Sequence, residues 1–233
     1  MTAAPDVGVI IVAAGAGSRA GGEQGALKQF RWVAGKPMLL HSVQQFQRRQ
    51  DVAMVVCVLP RHHAGDPPPW LFQSDLDRLL VSVGGRERGD SVMNGLEDLP
   101  PEVRIVLVHD AARPLVDAET IDRVIAAART GTGAVAALRS VDTLKEVDGH
   151  GRILRTLERE RIWRAQTPQG FPREMIERAY EEAKRARISA TDDAALCERL
   201  GFPVEVVQGS ERAMKVTDES DFHRLEALAG GGQ

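Results

Sequence analysis

Several features that would send a reading elsewhere are missing from this sequence. No apolar run approaches the roughly 20 residues needed to span a bilayer, and the opening "MTAAPDVGVIIVAAG" has no basic segment ahead of its short apolar run. A tail followed by a strand is expected there, not a signal peptide, and the expected location is cytoplasmic, without a membrane. The net charge of -3 gives no electrostatic case for bulk binding of nucleic acid or of an anionic surface. Only two cysteines occur, Cys57 in "MVVCVL" and Cys197 in "DDAALCERL". Neither has a cationic setting that would lower its pKa, so both are expected to be small buried hydrophobes and not a disulfide or a catalytic thiol. No internal repeat is visible, no Ser/His/Asp set emerges, and no metal-ligand spacing is found. His62 and His63 are adjacent and are expected to point apart on a loop surface.

What is present is an alternation. Short apolar, β-branched runs recur at 7 to 13, 54 to 59, 79 to 84, 104 to 111, 133 to 140 and 203 to 209. Their near-continuous apolarity predicts strands buried on both faces, as in a parallel sheet. Helical patterns lie between them: "PMLLHSVQQFQRRQ" with Pro37 near its first turn, "RGDSVMNGLEDL", and "DAETIDRVIAAART" with Asp117 at the N-cap. The expected fold is α/β with a Rossmann-like, mostly parallel sheet flanked by helices, in one domain spanning residues 1 to 233. A site is expected at the carboxyl ends of its strands. Two stretches break the alternation. Residues 61 to 78, with three consecutive prolines, predict a surface loop with a short helix. Residues 140 to 166 place "DGHG" between the runs 144 to 147 and 153 to 157, which predicts a protruding β-hairpin suited to a partner subunit.

The first strand runs into "AAGAGSRAGGEQGALKQF". Gly15, Gly17 and Ala20 satisfy GxGxxA, but the loop continues to about Pro37, and the second strand ends without the acid that a dinucleotide ribose needs. Arg61 leaves an NADP reading open. A P-loop fails because Gln29, not Ser or Thr, follows Lys28. What remains is a glycine-rich loop whose backbone N–H groups can wrap a polyphosphate, with Arg19 and Lys28 as its cations. Further candidates follow at strand ends. "GGRERGDSV" sets Asp90 and Ser91 at a helix start, suited to a base or ribose or simply to capping. "VHDAARP" brings His109, Asp110 and Arg113, where Asp110 can organise a phosphate-bound metal and His109 is expected to pack and not to act as a base. "TPQGFP" reads as a turn before a helix, "TDDAAL" as a helix start with Asp192 and Asp193 at its N-terminus, and "AMKVT" as an extended piece carrying Lys215.

Together, "AAGAGSR", "KQF", "GGRERGDSV", "VLVHDAARP", "VDTLK", "AQTPQGF", "TDDA" and "MKVTDESD" resemble, in order and context, the 2-C-methyl-D-erythritol 4-phosphate cytidylyltransferases, from about residue 7 to residue 228. The resemblance implies a nucleotidyltransferase fold and a reaction of CTP with methylerythritol phosphate, with Mg²⁺ or another divalent cation. It implies that Ala13, Ala14, Gly15 and Gly17 lie along the nucleotide, and that Arg19 and Lys28 contact the triphosphate and the transition state. Gly85, Arg88 and Ser91 would recognise cytosine and ribose, and Asp110 and Ala111 would border the sugar and the metal. Asp110, Arg113, Thr167 and Lys215 would form the acceptor pocket. Thr143 and Arg159 would reach across from a second subunit, in a homodimer with exchanged arms. The chain departs from the family pattern at Val12 and Leu27, where proline is usual, and in about two extra residues between Arg19 and Lys28. Two other readings use the same residues: a ribitol 5-phosphate or similar pentitol phosphate cytidylyltransferase, and a noncatalytic nucleotide-binding module.

Overall fold

The computed structural model describes residues 4 to 15 and 27 to 230. Strand β1 (Val7–Val12) is followed, beyond a 3-10 turn at Lys28–Phe30, by a small ribbon of β2 (Trp32–Val33) and β3 (Lys36–Pro37). Helix α1 (Met38–Gln47), β4 (Val52–Leu59), α2 (Arg61–Gly65), β5 (Leu79–Val83), α3 (Arg88–Glu97), β6 (Ile105–Asp110), α4 (Ala118–Arg129) and β7 (Gly133–Arg139) continue the alternation. Then come the ribbon β8 (Lys145–Val147) and β9 (Ile153–Thr156), the long β10 (Trp163–Pro172), α5 (Arg173–Ala186), α6 (Asp193–Arg199), β11 (Val204–Gln208) and α7 (Glu219–Gly230).

Seven strands form one sheet in the order β11-β7-β10-β6-β1-β4-β5. β1 pairs in parallel with β4 and β6, β5 with β4, and β11 with β7, whereas β10 is antiparallel to both β6 and β7. The side-chain period of two explains the apolar runs. Val9 and Ile11 of β1 face a core shared with Leu39, Val43 and Phe46 of α1 and Ile121 and Val124 of α4. Ile10 faces the opposite core, with Val92 and Leu96 of α3 and Ile176 and Ala179 of α5. Each fully buried Ile or Leu adds roughly 2 kcal/mol to such a core. The helices supply their stripes at helical spacing: in α4 the buried residues are Thr120, Ile121, Val124, Ile125, Ala127 and Ala128, behind an Asp117 cap that accepts from the Thr120 N–H at 2.7 Å.

Three expectations change. "TPQGFP" is not a turn but the buried end of β10. Pro168 needs no ladder partner because the pairing with β7 shifts register between Ala165 and Gln169, and the polar side chains are satisfied inside: Gln166 donates to Ser210 O at 2.9 Å and Gln169 to Asp192 at 2.8 Å. The stretch before Pro37 is not all loop, since β2 and β3 close a tight turn in which Ala34 and Gly35 have positive φ. His62 and His63 do not diverge; on α2 their ring centroids lie 5.2 Å apart, and His63 meets Phe30 edge-on. The region 61 to 78 does hold its short helix at the surface, anchored by a fully buried Leu71. Cys57 and Cys197 are free and buried, and burial pushes both thiols up to about 12.

Candidate active site

The parallel strands end together. The carboxyl ends of β1, β4, β5, β6 and β7 lie at one edge of the sheet, and the hairpin of β8 and β9 springs from that edge between β7 and β10. A cavity of about 380 Å³ opens there, lined by Ala13, Ala14 and Gly15 after β1, Gly85, Arg88 and Ser91 after β5, Asp110 and Ala111 after β6, and Lys28 and Lys215. Ten of the residues nominated from the sequence therefore converge. Gly17 and Arg19 lie outside the described residues. The loops after β1 and β5 meet closely: a Cβ at Gly84 would fall 2.2 Å from the Ala14 Cβ, and one at Gly85 2.1 Å from the Asp90 Cβ. Only glycine allows that approach. Asp90 accepts from the N–H groups of Arg86 and Glu87, so it caps its own helix.

Charge in the cavity is organised around Asp110. Lys215 donates to its Oδ2 at 2.7 Å, while the Arg88 Nε lies 3.6 Å and the Arg113 Nε 3.9 Å away. Burial alone would raise this carboxyl, but the neighbouring Lys215 and Arg88 charges outweigh it and hold Asp110 at about 2. Arg88 is itself fixed by a partner 105 residues on: it donates twice to the fully buried Asp193, at 2.9 and 2.7 Å, and the Tyr180 hydroxyl donates to the same carboxylate at 2.5 Å. Burial pulls Arg88 down, yet the Asp193 charge and hydrogen bonds, with Asp110, leave its pKa raised. The sequence motifs do not single out Asp193 as a site residue. Asp192, its neighbour, does cap α6 through the Ala195 N–H, as the helix-start pattern suggests.

Behind Asp110 lie Thr167 and Arg113, neither of which lines the cavity. The Thr167 hydroxyl accepts from the Asp110 N–H at 3.0 Å and pairs with His109 Nδ1 at 3.1 Å. Arg113 donates to Ala213 O at 2.7 Å. His109 is fully buried, its Nε2 is 3.0 Å from Arg113 O, and burial lowers it to about 4. It packs, as expected, and a general base is not what its surroundings make. Lys28 reaches the cavity with its Nζ on Val216 O at 2.6 Å, beside Lys215. Thr143 and Arg159 are exposed at the root of the hairpin and do not line the cavity of their own chain.

Among the described residues no group of three or more His, Cys, Asp and Glu side chains could cage a metal ion. Among the described residues the cavity is lined by two acids, Glu87 and Asp110, and four cations, Lys28, Arg86, Arg88 and Lys215, a set suited to an anion that brings its counter-ion along.

A family model described as 2-C-methyl-D-erythritol 4-phosphate cytidylyltransferase (IspD) matches residues 7–230. The chain is 41% identical over 231 residues to the 2-C-methyl-D-erythritol 4-phosphate cytidylyltransferase of Syntrophus aciditrophicus, covering 96% of each. It superposes with a TM-score of 0.80 on the enzyme of that name from Thermus thermophilus, at 35% identity and covering 97% of this chain and 99% of that one. A 4-diphosphocytidyl-2C-methyl-D-erythritol synthase from Anaerococcus prevotii gives a TM-score of 0.84 at 26% identity, over 97% and 96% of the two chains.

Proposed function

This chain belongs to the 2-C-methyl-D-erythritol 4-phosphate cytidylyltransferase family, and from that premise we propose how its residues carry the reaction. The chain is a cytidylyltransferase that couples CTP with 2-C-methyl-D-erythritol 4-phosphate, giving the diphosphocytidyl alcohol and pyrophosphate. The observation that carries the residue assignment is the convergence of Lys28, Arg88 and Lys215 on one cavity around an ionised Asp110.

The chemistry asks for this and little more. An oxygen of the acceptor phosphate, already ionised at neutral pH, attacks the α-phosphorus of CTP. The bond from that phosphorus to the bridging oxygen breaks, and pyrophosphate leaves. Two anions must be brought together and the extra charge at phosphorus stabilised, so positioned cations serve where a nucleophile or strong base would be idle. In this reading the backbone of Ala13, Ala14, Gly15 and Gly17 lies along the nucleotide, with Arg19 and Lys28 on its triphosphate. Gly85, Arg88 and Ser91 hold cytosine and ribose, and Asp110 and Ala111 border the sugar. Lys215, Arg113 and Thr167 form the acceptor side with Asp110. The pairing of Lys215 with Asp110 at 2.7 Å keeps that ammonium aimed before an anion arrives. Mg²⁺ or another divalent cation, carried in on the triphosphate, would be held by Asp110 and would supply neutralisation of phosphate charge.

The acceptor side is completed by a second copy of the chain. Thr143 and Arg159 are exposed on an arm that leaves the sheet edge, which supports a homodimer whose arms are exchanged. One domain with that arm at about 140 to 166 describes the chain in this reading. No helix among the described residues is long and apolar enough to cross a membrane, and a cytoplasmic enzyme fits small, charged substrates. The test is an acceptor screen with CTP and Mg²⁺, reading pyrophosphate. Methylerythritol phosphate should be turned over and ribitol phosphate should not; preference for ribitol phosphate, or no pyrophosphate with either, contradicts the reading.

A further inference from the structure

Gln29 is a buried polar side chain at the cavity to which the reaction assigns no part. It is 4% exposed, follows Lys28 on the 3-10 turn, and lines the cavity. Its amide nitrogen donates to the carbonyl of Ala13 and, at 3.3 Å, to that of Gly15. One amide nitrogen thus faces two carbonyls of the segment that leaves β1, from a residue on the far side of the glycine-rich loop. We propose that Gln29 is a positioning residue for the nucleotide, holding the peptide after Ala13 so that the Ala14 N–H is presented to the phosphates. The inference rests on the reading of this cavity as the CTP site.

Covalent geometry carries the first step. A trans peptide is planar, and its C=O and N–H point in opposite directions. With the Ala13 oxygen held by Gln29, the Ala14 N–H must point away from Gln29. The Ala13 N–H is taken by Val58 O at 2.9 Å, whereas among the described residues no backbone acceptor takes that of Ala14. Ala14 is half-buried, lines the cavity and abuts Gly84, where even an added Cβ would lie 2.2 Å from the Ala14 Cβ. That contact leaves the residue little room to shift.

The second step is electrostatic. A fixed backbone donor in a cavity whose lining sets four cations, Lys28, Arg86, Arg88 and Lys215, against two carboxylates, Glu87 and Asp110, suits an anion. If the peptide after Ala13 turned over, the same place would present a carbonyl oxygen, with its partial negative charge, to a phosphate. Gln29 opposes that turnover by giving the carbonyl a better partner. A hydrogen bond to a charged group, once lost, weakens binding by roughly tenfold or more. The role is specific to the phosphates, because cytosine and the acceptor are held by other residues.

Two measurements test this. Gln29→Met keeps the shape and removes the donor. Calorimetric titration should show CTP and inorganic triphosphate each binding about tenfold more weakly than to the wild type, with cytidine and acceptor binding nearly unchanged; the orphaned Ala13 carbonyl should lower the melting temperature by a few degrees without unfolding the chain. A kinetic counterpart is a raised KM for CTP with the KM for the acceptor unmoved. Equal triphosphate affinity in the folded variant overturns the proposal, as does a loss spread evenly over CTP, cytidine and acceptor. Should Gln29→Met fail to fold, the wild type decides: the Ala14 amide proton should move downfield on titration with inorganic triphosphate, saturating with the affinity measured calorimetrically. No shift at saturation overturns the proposal while leaving the nucleotide reading intact. A wild-type chain that binds neither CTP nor triphosphate overturns both.

Discussion

The cavity at the strand ends and the arm that rises beside it both carry charge, yet their charges are supported in opposite ways. In the cavity the partners come from elements far apart in the sequence: Arg88 is tied to Asp193, Asp110 to Lys215, and the Lys28 ammonium to Val216 O. On the arm, Lys145 pairs with Thr156 and Arg155 with Glu146, all at the surface. Val141, Ile153 and Leu154 are 75%, 63% and 61% exposed there. A two-stranded ribbon has no core of its own and is marginal in water unless it packs on something. The contrast sets a cavity preorganised by its own fold beside an arm whose apolar side chains are left at the surface, the arm that the proposed homodimer would use. On the proposed reading, variants in the cavity should alter stability, the nucleotide step or, at Asp110 and Lys215, the acceptor, whereas variants in the arm should alter the acceptor alone.

The largest effect is expected where the support of the preorganised cavity is most buried. Asp193→Ala leaves the Arg88 guanidinium without its carboxylate, which costs about 3 kcal/mol or more when one partner of a buried pair is removed. Chemical denaturation should show that loss, and a change under 1 kcal/mol would mean that Arg88 finds another partner. Lys28→Ala should reduce turnover at least about a hundredfold, on the order of 3 kcal/mol of transition-state stabilisation, without a matching fall in melting temperature. Full activity would remove Lys28 from the transition state.

His109 gives the same region a pH signature of about 2 kcal/mol. An unfolded histidine takes up its proton near 6.5, while the buried one resists until about 4. Between those values the unfolded state binds more protons, so stability falls as pH drops and is indifferent above the window. Asp110, held at about 2, contributes stability that is intact above about pH 4 and is lost only below it. In denaturation without nucleotide or metal, His109 should therefore contribute a loss of about 2 kcal/mol between pH 7 and 5, with His41, which burial also lowers, adding in the same direction. His109→Asn should flatten that slope, and an unchanged slope would assign it elsewhere. The smallest effect belongs to the arm: Arg159→Ala should raise the KM for the acceptor roughly tenfold, as loss of a charge-assisted contact would, with the KM for CTP unchanged. An unaltered acceptor KM would detach the arm from the site.

Much of this division is legible in the sequence alone. The apolar runs mark the strands of the parallel part, the strand-end motifs mark the cavity, and "DGHG" marks the turn of the arm, closed in the structure with Gly151 at φ +79°. What escapes is what depends on distant partners. "TPQGF" looks like a turn because its polar residues advertise solvent, whereas Gln166 is answered by Ser210 and Gln169 by Asp192 and the Ala194 N–H. Asp193 looks like an ordinary first-turn acid, and nothing local points to Arg88. Gln29 looks incidental because its acceptors lie 16 and 14 residues earlier, across the glycine-rich loop. Periodicity reports which face is buried, but not which buried polar group answers which.

The claim that the two halves of one site come from two chains can be tested directly by mixing. Lys28→Ala disables the cavity and spares the arm, while Thr143→Ala with Arg159→Ala disables the arm and spares the cavity. Each protein is assayed alone and then after unfolding and refolding together, with limiting acceptor and pyrophosphate as the readout. Exchanged arms predict that mixed dimers regain one intact site, so that the refolded mixture recovers about a quarter of the wild-type rate, by random pairing in a two-fold dimer. A mixture no more active than the average of its two components would contradict the account.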